Sequence, residues 1–175
     1  MQNLFTSFRL NSLKKTKNIV SVLLLGLLVF MNVSCGGDAT NPMVNLNDPS
    51  TLPGSYKLVA ITDKTGEDLP EGFTIQTDQP ITVTVEGVTL TITVSGTLTL
   101  TENRYTFSIT IKIAIPDFPE QTQTETDTGT YSLSGSTITF ESEDPENGKM
   151  TFNISAQGRQ ITLENDEGKL VFEKQ

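Results

Sequence analysis

From Val88 to Ile115 apolar and polar side chains alternate almost one by one. Val88, Leu90, Ile92, Val94, Leu98 and Leu100 interleave with Thr89, Thr91, Thr93, Ser95, Thr97, Thr99 and Thr101, and Gly96 takes the one apolar-phase slot that has no side chain. After Glu102-Asn103-Arg104 the rhythm resumes, with Tyr105, Phe107, Ile109, Ile111, Ile113 and Ile115 set against Thr106, Ser108, Thr110, Lys112 and Ala114. Successive side chains of an extended strand point to opposite faces, so the pattern predicts a long antiparallel hairpin with one dry face and one wet face. A strand from Val88 to Leu100 would run for roughly 43 Å at about 3.3 Å per residue. That is too long for a small domain unless it bends, and Gly96 is the expected place for a bend or bulge.

Shorter stretches with the same period flank this hairpin: Ser55 to Thr62, Ile81 to Val85, Thr130 to Leu133, Thr137 to Ser142, Met150 to Ser155, Gln160 to Glu164 and Lys169 to Glu173. Turn-forming sequences separate them, among them Glu86-Gly87, Ser134-Gly135-Ser136, Pro145-Glu146-Asn147-Gly148, Gln157-Gly158 and Asn165-Asp166-Glu167-Gly168. The polar stretch Asp117 to Thr128 reads as a mobile surface loop. No window of useful length carries the spacing of an amphipathic helix. About eight to nine short-linked strands favour an all-β, antiparallel up-and-down barrel, because closure removes exposed sheet edges. A Greek-key sandwich, the main rival, needs longer crossing connections than most of these linkers supply.

The N-terminal 34 residues follow a different logic. Arg9, Lys14, Lys15 and Lys17 precede an apolar run from Ile19 to Val33 that ends at Ser34-Cys35. A basic head, a short apolar middle and a small-residue exit describe a secretory signal, and the run is short of the roughly 20 apolar residues that span a bilayer. The chain therefore divides into a signal peptide (1–34), a flexible tether beginning at Cys35 (35–51) and a β-domain (52–175). Cys35 is the chain's single cysteine.

Charge narrows the partners. All 21 acidic residues follow Cys35 but only 8 of the 12 basic ones do, so the processed chain carries a net −13. A field of that sign repels phosphate backbones, and nucleic-acid binding is not expected.

Three segments carry resemblances. Asn32-Val33-Ser34-Cys35-Gly36 resembles the lipobox of bacterial lipoproteins, which implies acylation of Cys35, membrane attachment through that lipid and, with Gly36 rather than an aspartate following, an outer-membrane address in a Gram-negative envelope. Leu52-Pro53-Gly54-Ser55-Tyr56-Lys57-Leu58 is similar to the opening strand of lipocalin-like domains, and the hairpin from Gly129 to Phe140 is similar to one that recurs in lipocalin-like bacterial lipoproteins. That family implies a small antiparallel barrel with an internal pocket.

The inventory of reactive side chains is short. The chain has no histidine and no tryptophan, and the resemblance assigns its lone cysteine to the lipid. Histidine bases, thiol nucleophiles and the usual zinc ligands are thereby missing, so no enzyme activity, metal site or other cofactor is expected. Carboxylate-only glycoside hydrolysis would need two acids facing each other at roughly 5 to 9.5 Å. The loops Glu141 to Gly148 and Glu164 to Gly168 are acidic enough to be weighed as calcium ligands, but neither has the spacing of a known calcium loop. The aromatic residues Tyr105, Phe107, Tyr131, Phe140 and Phe152 all fall in the apolar phase and should point into the barrel, as a filled core or as the lining of a ligand pocket. Two functions follow. One is a monomeric, lipid-anchored binding module for a small apolar or amphipathic molecule; the other is a structural lipoprotein with a solid barrel that docks an envelope protein.

Overall fold

The computed structural model describes residues 43–66, 72–85 and 88–175. They form ten strands: β1 (Gly54–Asp63), β2 (Thr74–Gln76), β3 (Ile81–Val85), β4 (Val88–Leu100), β5 (Arg104–Ala114), β6 (Gln121–Ser134), β7 (Thr137–Ser142), β8 (Lys149–Gln157), β9 (Gln160–Glu164) and β10 (Gly168–Lys174). Pairing is antiparallel and follows the sequence from β4 through β10, after which β10 pairs with β1 and β1 with β4. Those eight strands close a ring. The expected antiparallel up-and-down barrel is the observed one, and a pair of stacked sheets is excluded by the cyclic ladder. Gly135 and Gly158, at φ +59° and +62°, supply the left-handed backbone that the tight β6–β7 and β8–β9 turns need.

The alternation read from the sequence sorts the side chains as predicted. Tyr56, Leu58, Leu98, Leu100, Phe107, Ile109, Ile138, Phe140, Phe152, Ile161, Leu163 and Phe172 are among those buried in one continuous core, and threonine and serine hold the outward positions. Each large apolar side chain removed from water in this way contributes on the order of 1.5–3 kcal/mol, and this burial holds the barrel together.

β4 solves its length by changing partners. Its first half pairs with β3 (Ile81↔Ile92 to Val85↔Val88) and its last residues pair with β1 (Lys57↔Thr97 to Gly54↔Leu100). The seam forks at Gly96, where an added Cβ would lie 2.9 Å from Leu58 Cδ2, so the missing side chain makes room for Leu58. Beyond the fork β1 bulges between Leu58 and Ala60 and takes β2 as its neighbour. The turn between β2 and β3 fills the crotch. The Asp78 amide donates to Val94 O (2.7 Å), the Thr77 amide donates to Val59 O (3.1 Å), the Thr77 hydroxyl donates to Leu58 O, and Lys57 Nζ pairs with Asp78 (2.9 Å).

Three features depart from the sequence expectations. The Asp117–Thr128 loop is mostly strand: β6 begins at Gln121, and its pairing with β5 runs from Gln121↔Ile113 to Thr130↔Arg104. Its inward-phase positions Gln121, Gln123 and Glu125 are polar and exposed because that half of β6 runs past the end of β7, where no packed core demands apolar side chains, whereas Asp127 reaches the edge of the interior. The short strand β2 has no signature in the sequence, since three residues carry no readable period. The tether is docked from Met43 onward: Val44 is buried and Leu46 packs on the core, the Val44 amide donates to Gly158 O (2.9 Å), and a 3₁₀ turn (Pro49–Thr51) capped by Asp48 leads to the buried Leu52. The signal peptide, Cys35 and the Glu86-Gly87 turn lie outside the described residues.

This docking gives the barrel two unlike ends. At the first, Val44, Leu46 and Leu52 form a plug beside the β8–β9 turn. The Tyr56 hydroxyl donates to Leu52 O, and Lys174 Nζ donates to Thr51 O (2.6 Å) from 5.7 Å over the Tyr56 ring. Burial lowers the Lys174 pKa, and the plug carbonyl and ring face take the place of water around its ammonium. At the opposite end lie the β5–β6, β7–β8 and β9–β10 connections.

Candidate functional site

The five aromatic residues singled out from the sequence share one interior. Tyr105, Phe107, Phe140 and Phe152 are buried and Tyr131 is half-buried. Phe140 is the hub: its ring centroid lies 4.9 Å from Tyr105, 6.0 Å from Phe152 and 6.3 Å from Tyr131, while Phe107 meets Phe172 edge-on at 6.1 Å. Edge-to-face contacts of this kind fill space efficiently and add about 0.5–1.5 kcal/mol beyond burial. What remains among Leu98, Phe107, Met150, Leu163, Leu170 and these rings is a void of about 20 Å³, roughly the room of one water molecule. A drug-sized ligand needs roughly 300 Å³ or more. The side chains themselves fill the barrel.

One polar group enters this lining, and the sequence offered little sign of it. Asp127, within the stretch expected to be a loop, accepts hydrogen bonds from the Tyr105 hydroxyl (2.5 Å), the Ser142 hydroxyl (2.5 Å) and Asn147 Nδ2 (3.2 Å). It joins β5, β6, β7 and the β7–β8 loop. The signal that could have revealed it is phase: Asp127 stands two residues before Gly129 and four before Tyr131, on the inward side of the same strand. Desolvation pushes the Tyr105 hydroxyl well above its ordinary pKa, and the bond to Asp127 adds to the shift by stabilising the protonated phenol. Among the described residues no buried side-chain polar atom lacks a partner, so the network is structurally complete. The two-acid arrangement of glycoside hydrolysis has no counterpart in this void, whose lining contains a single carboxylate.

The acidic loops are held from within. Glu143 is bound by Arg104 and by the Thr128 hydroxyl (2.8 Å), contacts that lower its pKa, and Glu164 is lowered by the ammonium of Lys64. Asp144 Oδ1 accepts the Glu146 amide (2.9 Å). Among the described residues no three metal-ligating side chains converge. An open surface hollow of about 250 Å³ lies outside the barrel at the seam fork, lined by hydroxyls of Ser95, Thr97, Ser108 and Thr110 and by the Lys57–Asp78 pair.

No protein-family model matches the chain, and no curated protein matches it. Two solved structures are similar. A lipocalin-like protein from Bacteroides uniformis is 17% identical, covering 71% of this chain and 98% of its own, with a TM-score of 0.41. An uncharacterized protein from Bacteroides eggerthii is 13% identical, covering 70% of this chain and 98% of its own, with a TM-score of 0.39. The barrel assignment stands on this chain's own closed ladder, and these likenesses carry no ligand or activity to it.

Proposed function

We propose that the chain is a lipid-anchored lipoprotein of the outer membrane whose barrel is a non-catalytic, protein-docking module rather than a small-molecule carrier. The interior void of about 20 Å³ carries this reading: it leaves no space for a ligand larger than water. The signal-like N-terminus ending at Cys35 supplies the anchor, and the eight residues from there to Met43 span at most about 28 Å when extended. The described chain enters at the plugged end, which leaves the opposite end of the barrel free of it.

Native mass spectrometry of the protein purified from its own envelope, with lipid analysis of the N-terminal peptide, tests both halves. The expected species carries an acylated Cys35 and no other small molecule. A stoichiometric co-purifying apolar ligand overturns the docking reading, and an unmodified Cys35 overturns the anchor.

A further inference from the structure

The barrel has one long strand that its neighbour does not cover. β7 ends against β6 at Ser142↔Gly129, and the contact closes with the Glu143 amide on Thr128 O (2.8 Å). β6 continues for eight residues before that point, paired on its other side only, with β5. In an antiparallel strand the amide and carbonyl of one residue point to the same edge, and the edges alternate. Thr128 O faces the β7 side, so the amides and carbonyls of Thr122, Thr124 and Thr126 face it too. The Ser108 hydroxyl on Glu125 O (3.3 Å) and the Tyr131 amide on Asn103 O (3.0 Å) fix the odd-numbered residues toward β5. Among the described residues no main-chain group bonds to this edge, which leaves six groups in register at a period of two.

The edge is also strongly anionic. From Ile113 to Gly148 the chain holds eight acidic residues and no basic one. Arg104 and Lys112 engage two of them, Glu143 and Glu120, from outside that stretch. Glu125 lies on the free half of β6, while Asp144 and Glu146 stand in the loop after β7, on the side the edge faces. Natural sheets defend open edges against self-pairing with charge, and a net −13 on the processed chain opposes a second copy here.

Building on the docking reading above, we infer that the free edge of β6, from Gln121 to Asp127, binds an extended, lysine- or arginine-rich segment of another protein as an added strand. Main-chain hydrogen bonds to Thr122, Thr124 and Thr126 supply affinity, and the surrounding carboxylates select cationic over anionic sequences. The edge lies toward the end of the barrel away from the plug, where a partner can reach it.

The test uses the full chain and two capped heptapeptides, alternating lysine–valine and alternating glutamate–valine. Fluorescence anisotropy should show the lysine peptide binding at least tenfold more tightly than the glutamate peptide. Hydrogen exchange should show the Thr122, Thr124 and Thr126 amides slowed at least tenfold by the lysine peptide. Thr124→Pro deletes an amide donor that no barrel ladder uses, a change that edge strands accept, and should weaken binding at least tenfold. Equal binding of the two peptides, no binding of either, or binding without protection of those three amides overturns the inference; the exchange readout needs no variant. A small molecule found by mass spectrometry would instead overturn the docking reading, so the two failures are distinguishable.

Discussion

Replacing Phe140 by alanine tests the filled interior directly. The side chain is 4% exposed, is paired across the sheet with Tyr131 and Met150, and touches three other rings. Removing the ring leaves a void on the order of 100 Å³; at about 24 cal/mol per Å³ that costs about 2.4 kcal/mol beyond the lost transfer energy, for a total near 3–5 kcal/mol. With a urea m-value of about 2 kcal/mol/M, a loss of 4 kcal/mol moves the midpoint down by about 2 M at unchanged slope. The new void is apolar and ring-sized, so benzene should raise the midpoint of Phe140→Ala but leave the parent protein unmoved. A cost below about 1 kcal/mol, or a benzene effect on the parent chain as large as on the variant, would refute the claim that side chains alone fill the barrel.

Alkaline titration gives a second check. Tyr56, Tyr105 and Tyr131 are the only tyrosines, and desolvation raises the pKa of each above its ordinary value. Groups with folded pKa values above the unfolded one contribute stability that is complete below about pH 10 and is lost as pH rises through the folded values. Tyrosinate absorbance should therefore appear together with loss of circular dichroism, and a free titration near pH 10 in the folded protein would contradict the burial. Gly129→Ala places a Cβ 2.0 Å from Glu141 O and 2.8 Å from the Tyr105 ring, so it should cost about 3 kcal/mol or more in chemical denaturation. Gly72→Ala has open space around its Cβ and pays only for its φ of +78°, roughly 1–2 kcal/mol. A double-mutant cycle of Tyr105→Phe and Asp127→Ala should return a coupling of about 1–3 kcal/mol, and strict additivity would show that their 2.5 Å bond contributes nothing to the fold.

The sequence by itself determined which side chains go inside. Strand geometry forces alternate residues to opposite faces, so the period of two from Val88 to Ile115 assigned Leu98, Leu100, Tyr105 and Phe107 to the core before any tertiary contact was known. The short turns likewise constrained strand order, since linkers of two to six residues join only neighbours. The aromatic five were therefore legible as interior residues, whereas their role was not: filled core and lined pocket use the same residue types, and only the tertiary structure shows the rings in mutual contact around a void of about 20 Å³. Asp127 and the strand around it were hidden because a polar sequence can be extended when its neighbour β5 supplies the ladder, a long-range condition with no local signature. The same holds for the free edge of β6. Whether an amide is paired depends on where another strand stops, and that is settled by the packing of the whole ring.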